Sequence, residues 1–345
     1  AVMDTVDLRK CDEWLNNLAT ALEGRTPDYL IVQHLEPDHA GSIAKVLERY
    51  PEMQIVASDK AVKMMPQFFY EVNFEGRIIG VKEGGTLSLG GRTLHFAMAP
   101  MVHWPEVMVT YDSKDKILFS ADGFGKFGAL ELTKDEDWAC EARRYYFNIV
   151  GKYGAAVQTL LKKAATLDIE CICPLHGPVL KENLAYYLDL YNTWSSYQPE
   201  NSGVLIAYAS IHGNTAKVAE KLGDMLRAKG VEKVVVSDLA REDMAEVIED
   251  AFRYDRMIVA AASYDGGVFP CMQDFLSHLQ SKAYQNRKVG IVENGSWAPS
   301  AGRVMKSMLE TMKNIELVED TVTITSSLKD KDMENLEKLV ASMAS

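Results

Sequence analysis

Apolar runs of five to seven residues recur from Tyr29 to Asp122, in YLIVQH, QIVAS, TLHFAMA, VMVTYD and KILFSAD, and each stops at a polar or turn-forming stretch. This pattern predicts buried or half-buried strands. Helical periodicity predicts helices over 42–50, over one long stretch from about Trp138 to Leu167, and over another ending near Tyr191. The segment SYQPENSG, 196–203, gathers Ser, Pro, Asn and Gly ahead of a fresh apolar run and reads as a linker. Beyond it the order becomes regular. Strand GVLIAYAS, helix 215–229, strands VVVS and MIVAAAS, a helix to about Ser281, strand KVGIVENGS, a helix, strand TVTIT and a last helix follow one another. Such alternation builds a doubly wound parallel sheet. The expected organisation is therefore an α+β sandwich-like domain over 1–197 and an α/β domain over 198–345. A length of 345 residues fits two cores better than one.

Composition narrows the partners. The formal net charge of -12, with no compensating Lys/Arg cluster, argues against nucleic acid and anionic membranes, and no apolar run is long enough to span a bilayer. Small molecules and proteins remain. Five cysteines, Cys11, Cys140, Cys171, Cys173 and Cys271, are odd in number and contain no CxxC pair. Neither a disulfide framework nor a thiolate-bound metal is expected, and a reducing cytoplasmic setting fits. The opening AVMDTVD reads as a strand and its exit, so further N-terminal sequence is expected.

The densest chemistry is QHLEPDHAGS, which places His34, Glu36, Asp38 and His39 just past the strand YLIV. Imidazoles and carboxylates together suit a hard-to-borderline divalent metal. His103 in APMVHWPE, Asp122 at the end of KILFSAD and His176 in CPLHGP lie at other strand ends, where an α/β scaffold presents functional groups on one rim. A lone histidine after a strand is more often a satisfied polar residue, and an acidic turn is often a solvated loop. The joint pattern outweighs both. His95 and His278 have no such company and are read as ordinary surface or core histidines.

A second constellation lies in the C-terminal half. ASIHGNT places Ser210, Ile211, His212, Gly213, Asn214 and Thr215 between a buried strand and a helix start, where N–H groups and hydroxyls suit a phosphate monoester. A plain Ser/Thr or Asx turn would look similar. Two further strand-end loops shift the balance. SYDGGVFP carries Ser263, Tyr264, Asp265, Gly266 and Gly267, and ENGSWAPSAG carries Asn294, Gly295, Ser296 and Trp297. Tyr264 or Trp297 has the face to stack on a planar ring, although both are also ordinary rim aromatics.

The order HxExDH, then His, Asp and His at successive strand ends, resembles the metallo-β-lactamase superfamily. Glu36 stands where its hydrolytic members carry a second histidine. An anionic oxygen there moves preference from zinc toward iron. That is the pattern of the flavodiiron proteins, and the three later loops are similar to those that hold FMN in flavodoxins. The resemblance implies an αββα sandwich followed by a flavodoxin-like sheet. It implies one iron on His34, Glu36 and His103, a second on Asp38, His39 and His176, and Asp122 between them. It also implies further strands ahead of Ala1, with a supporting histidine there. The implied activity is reduction of dioxygen to water or of nitric oxide to nitrous oxide, with FMN replenishing electrons. No rubredoxin-like CxxC pairs follow, so a separate donor is implied: rubredoxin, a flavin reductase or a reduced deazaflavin. A head-to-tail homodimer, or a dimer of dimers, is implied as well. A zinc hydrolase fused to a flavodoxin module and an electron carrier with a structural first domain are the competing readings. Glu36 speaks against the first and the full ligand set against the second.

Overall fold

The computed structural model describes residues 1–133 and 137–344. The polypeptide forms two compact units, one of residues 1–136 with 155–191, the other of residues 137–154 with 192–345.

The first unit stacks two sheets. Strands β1 (Val2–Met3), β2 (Tyr29–Val32), β3 (Gln54–Ser58) and β4 (Ile78–Val81) form a parallel sheet in chain order. Strands β5 (Thr86–Ser88), β6 (Thr93–Met98), β7 (Met108–Asp112), β8 (Ile117–Phe119) and β9 (Cys171–Cys173) form the second, antiparallel except for the β8–β9 pair. The two-residue side-chain period sorts each strand between layers. Ile31 and Val56 point inward and meet Leu94, Phe96 and Met108 of the other sheet. Leu30, Val32, Ile55 and Ala57 point outward into a core shared with Ile43, Val46 and Leu47 of helix Ile43–Arg49 and Ala61 and Met65 of helix Asp59–Phe68. Continuous apolar runs in β2 and β3 thus reflect burial on both faces.

The second unit is a parallel sheet built on β10 (Asn201–Ala209), β11 (Val234–Asp238), β12 (Tyr254–Tyr264), β14 (Arg287–Asn294), β15 (Ile315–Leu317) and β16 (Val322–Ile324). Its order is β11-β10-β12-β14, with β15 and β16 both pairing β14, and the short β13 (Gly267–Val268) folds back on β12. This is the doubly wound order of flavodoxin-like domains, whose ligand crevice lies at the carboxyl ends of the strands. Val204, Ile206, Ile258, Ala260 and Val292 pack against Val218, Leu222 and Leu226 of helix Asn214–Ala228.

The single long helix expected from Trp138 to Leu167 does not form. Instead, helix Trp138–Tyr145 gives way to a π turn over Tyr146–Val150, a 3-10 turn over Gly151–Tyr153 and helix Gly154–Ala164. The Tyr197 hydroxyl sits at the break, donating to the Gly151 carbonyl (2.9 Å) and accepting from the Gly154 N–H (3.2 Å). A Cβ at Gly154 would stand 2.4 Å from the Ser195 carbonyl, so only glycine permits this approach. The expected linker is also shorter: Asn201–Gly203 already belong to β10, and Glu200 is held by Arg143 and by the Trp194 indole N–H (2.8 Å).

Candidate functional site

The loop after β2 is fixed before any ligand enters. The Asp4 carboxylate accepts from the Gln33 backbone N–H (2.8 Å) and side chain (3.0 Å), while Thr5 donates to the His39 carbonyl through both N–H and hydroxyl. Pro37 opens the short helix Pro37–Ala40, where its missing N–H is no loss, and Glu36 stands just ahead of it. Past β8 the chain turns sharply through Ala121 at positive φ, with Ser120 Oγ donating to the Gly123 carbonyl (2.7 Å) and the Ala121 carbonyl accepting from Leu175 N–H (2.9 Å). That last bond ties the Asp122 turn to the His176 loop.

All seven residues singled out in this half converge. Asp122 Oδ2 lies 3.3 Å from His34 Nε2 and 3.1 Å from His103 Nε2, and Glu36 Oε2 is 3.5 and 3.0 Å from the same two nitrogens. Its other oxygen, Oδ1, lies 3.4 Å from both His39 Nε2 and His176 Nε2, which Asp38 approaches at 3.4 and 3.1 Å. One carboxylate thus faces two three-donor sets. His34 Nε2, His39 Nε2, Asp38 Oδ1 and both Asp122 oxygens are buried without a well-formed hydrogen bond. Converging, unsatisfied buried donors are costly unless a cation joins them, so the set fits two metal ions.

Electrostatics support this. Burial disfavours the His34 cation, but Asp122, Glu106 and Glu36 outweigh it and hold the group up at about 11. Burial is likewise outweighed at His103, by Asp122 and Glu36, and at His176, by Asp122 and Asp38, and both rise to about 9. Hydrogen bonding to His103 and His34 brings Glu36 down to about 2, and four histidines drive Asp122 well below the carboxylate range against its burial. Without metal, protons on the imidazoles do the neutralising.

Glu106 was missed as a functional residue. Its Oε1 lies 2.6 Å from His34 Nδ1 and accepts from Leu35 N–H (3.0 Å), while its carbonyl accepts from Ser58 Oγ (2.7 Å). A carboxylate behind a ligating histidine fixes the ring's tautomer and orientation. It ends the stretch that flagged His103. Trp104 closes the same side, its ring edge-on to His34 at 5.0 Å and stacked on Phe68 at 6.2 Å. His95 sits with Ser113 Oγ (3.1 Å) and His278 beside Asp274, both away from this cluster.

In the second unit a cavity of about 570 Å³ opens at the carboxyl ends of β10, β12 and β14. Ser210, Ile211, His212, Asn214, Thr215, Ser263, Tyr264, Asp265, Gly266, Asn294, Gly295, Ser296 and Trp297 all line it. Gly213 and Gly267 do not. Gly213 instead makes the turn, at φ +84°, with its N–H donating to Ser210 Oγ (3.1 Å). Gly267 pairs Tyr264 across the tight turn at Asp265–Gly266, both at positive φ as a two-residue hairpin requires. No side chain caps the start of helix Asn214–Ala228, which leaves N–H groups and the buried Thr215 free to meet an anion.

Ala262, Ala298, Ser300 and Ser326 also line the cavity and were not anticipated. Ser326 is drawn in by Asn294, which accepts from its N–H (3.0 Å) and donates to its carbonyl (2.8 Å). No local motif marks it. A phosphate-ready turn beneath an open slot with aromatic rims fits a flavin mononucleotide in size and chemistry.

A fold of this kind, a β-lactamase-type sandwich with a two-centre donor set ahead of a flavodoxin-type sheet, defines a redox fusion. A family model described as ODP family beta lactamase matches residues 1–177, and one described as Flavodoxin domain matches 205–324. The chain belongs to the ODP family beta lactamases and, with its second half, to the flavodiiron proteins. It superposes on rubredoxin oxygen:oxidoreductase from the anaerobe Desulfovibrio gigas with a TM-score of 0.92, at 26% identity over 99% of this chain and 86% of that one. A flavo di-iron protein from Thermotoga maritima, solved as a mutant, superposes with a TM-score of 0.86 at 25% identity, over 99% and 85%. An anaerobic nitric oxide reductase flavorubredoxin of Aliivibrio salmonicida is 28% identical over 86% of this chain, which spans 60% of that protein's length.

Proposed function

We propose that this chain is a flavin-linked di-iron oxidoreductase that reduces dioxygen, nitric oxide or both. The observation carrying the proposal is the division of the Asp122 carboxylate, one oxygen toward His34, His103 and the Glu36 carboxylate, the other toward His39, His176 and the Asp38 carboxylate. On this reading Asp122 would help to hold both irons, with His34, His103 and Glu36 on one side of it and His39, His176 and Asp38 on the other. An iron pair held there supplies a binding face and electrons for a diatomic substrate, and FMN in the cavity of the second unit supplies electrons one or two at a time.

The chain's own residues set the terms. Glu36, Asp38, Asp122 and Glu106 bring four negative charges against the four positive charges of two divalent ions, so a buried site stays near neutral. Glu106 holds His34 so that Nε2 faces Asp122. Trp104 and Phe68 restrict water on the His34 side. In the other unit, Ser210, Asn214, Thr215 and the start of their helix bind a phosphate, while Tyr264 and Trp297 flank a ring.

Names of relatives support both substrates, an oxygen:oxidoreductase in one case and a nitric oxide reductase in another. The donor is a small redox centre of the rubredoxin kind, a flavin reductase or a reduced deazaflavin, and the setting is a reducing cytoplasm, in keeping with five free cysteines; no helix among the described residues is long and apolar enough to cross a membrane. The working form is a head-to-tail homodimer in which the exposed flavin rim of one chain serves the irons of the other. Iron and FMN are quantified after anaerobic reduction, and turnover is then followed in parallel with oxygen and with nitric oxide. Two irons, one FMN and turnover of at least one gas are expected. Stoichiometric zinc without turnover would refute the reading.

A further inference from the structure

Without any CxxC pair, sulfur-bound metal is not expected from the order of residues alone. β9 changes that. Strand alternation sends Ile172 into the core, fully buried, and Cys171 and Cys173 together onto the opposite face. Their sulfurs stand 3.8 Å apart, and both thiols are free. Cys171 is buried and Cys173 half-buried, on the edge strand of its sheet.

Two chemistries suit a close thiol pair, and distance separates them. A disulfide needs the sulfurs at about 2.05 Å and favours Cα atoms about 5.5–6 Å apart. Residues i and i+2 of a strand lie about 6.6 Å apart, near the limit, so oxidation would bend β9 against its ladder with β8. Two thiolates on one three-coordinate ion, each at about 2.3 Å and about 120° apart around it, stand about 4 Å apart. The native spacing already meets that condition.

We infer that Cys171 and Cys173 form a binding site for a soft monovalent d10 cation of the Cu(I) class. No His, Asp, Glu or further Cys among the described residues joins the pair as a third ligand, which disfavours zinc, whose sites use three or four protein ligands. Soft sulfur ligands select Cu(I), and the short sulfur spacing fits its three-donor form, the third donor here being solvent or a small thiol. Burial and the neighbouring Cys171 push the Cys173 thiol up to about 12. Such a thiol is a poor nucleophile at neutral pH, so it resists casual oxidation and yields its proton only to a strongly thiophilic cation. Binding releases both thiol protons and leaves one net negative charge, which Lys181 offsets from the Cys173 side.

The test titrates the iron-loaded protein with Cu(I) under anaerobic, thiol-reduced conditions against a chromophoric Cu(I) chelator. Cys173→Ala removes the sulfur without adding a buried polar group, Cys171→Ser removes the other, and Cys11→Ser controls for a lone buried thiol. Wild type and Cys11→Ser are expected to take one tightly held Cu(I) per chain, with affinity falling about 100-fold in either pair variant as the second sulfur's chelation is lost. Equal affinity in wild type and folded Cys173→Ala overturns the inference. So does ready closure of a Cys171–Cys173 disulfide under mild peroxide, read as loss of two hydrogen masses, which would assign the pair to redox chemistry instead.

Discussion

In the first unit the chemistry is carried by side chains withdrawn from water, His34 and Asp122 at 0% exposure and His39 at 4%. In the second, the cavity is made by turns, hydroxyls and backbone, and its most prominent side chain, Trp297, is 91% exposed. The buried cluster is a charge problem solved by several mutually dependent groups. The open cavity is a shape problem solved by loop geometry. Losing one charge in the cluster should therefore cost more than losing one side chain at the rim, and backbone changes should matter most in the cavity.

The largest effect is expected at the shared carboxylate. Asp122→Ala should lower turnover by about 1000-fold, equivalent to roughly 4 kcal/mol, and leave less than one iron per chain while FMN stays stoichiometric; loss of both cofactors would mean general misfolding instead. Next is a backbone test of the cavity. At Gly295 a Cβ would meet Pro299 Cα at 2.8 Å, so Gly295→Val should displace the loop and weaken FMN about 100-fold with iron retained. Glu106→Gln should weaken iron binding about 10- to 100-fold by releasing the His34 ring, measured by chelator competition; no change would make the His34–Glu106 contact incidental.

A pH series sharpens the contrast further. In the metal-free protein His34 sits at about 11 and His103 and His176 at about 9, so the native state binds protons that an unfolded histidine, near 6.5, gives up. That stabilisation is complete below about pH 6.5 and is lost as pH rises through 9. Glu36, brought down to about 2, contributes above about pH 4.5 and is lost as pH falls through 2. The metal-free protein should melt highest between about pH 4.5 and 6.5. Iron affinity should run the other way, rising by about tenfold or more from pH 6 to 9, because each ion displaces imidazole protons. Parallel trends would break the account. The smallest effect is expected from Trp297→Ala, about threefold in FMN affinity, since so exposed a ring gains little from contact before the cofactor arrives.

Why the two regions were unequally legible follows from the same contrast. A histidine or carboxylate at a strand end is chemically conspicuous, and His34, Glu36, Asp38, His39, His103, Asp122 and His176 could be marked without any fold. Glu106 carries no such mark until the partner ring is placed 72 positions away in the chain. In the cavity, Asp265 and Gly266 were readable as part of a strand-end loop, but Ser326 enters through hydrogen bonds to Asn294 and Ser296 that join positions about 30 residues apart. The broken helix after Trp138 misled for a related reason: periodicity continues through Gly151 and Gly154, and what interrupts it is the hydroxyl of Tyr197, far along the chain. Likewise, the Cys171–Cys173 spacing becomes meaningful only once β9 is known to be a strand.

The segment 137–154 lies in the second unit although residues on either side of it, 1–136 and 155–191, build the first. For anyone cutting the gene into modules this matters more than the linker does. A transplant beginning at residue 198 would carry Glu200 and the deeply buried Glu249 but leave behind Arg143, which holds them at 2.7 Å each. Burial already pushes Glu249 up to about 7 with the guanidinium in place. Stripped of it, the module would favour the protonated acid, and so would keep its fold better in mildly acidic buffer than in neutral buffer. Supplying 137–154 as a separate peptide should restore it, making the excised flavodoxin half a split protein whose missing piece is encoded inside its neighbour.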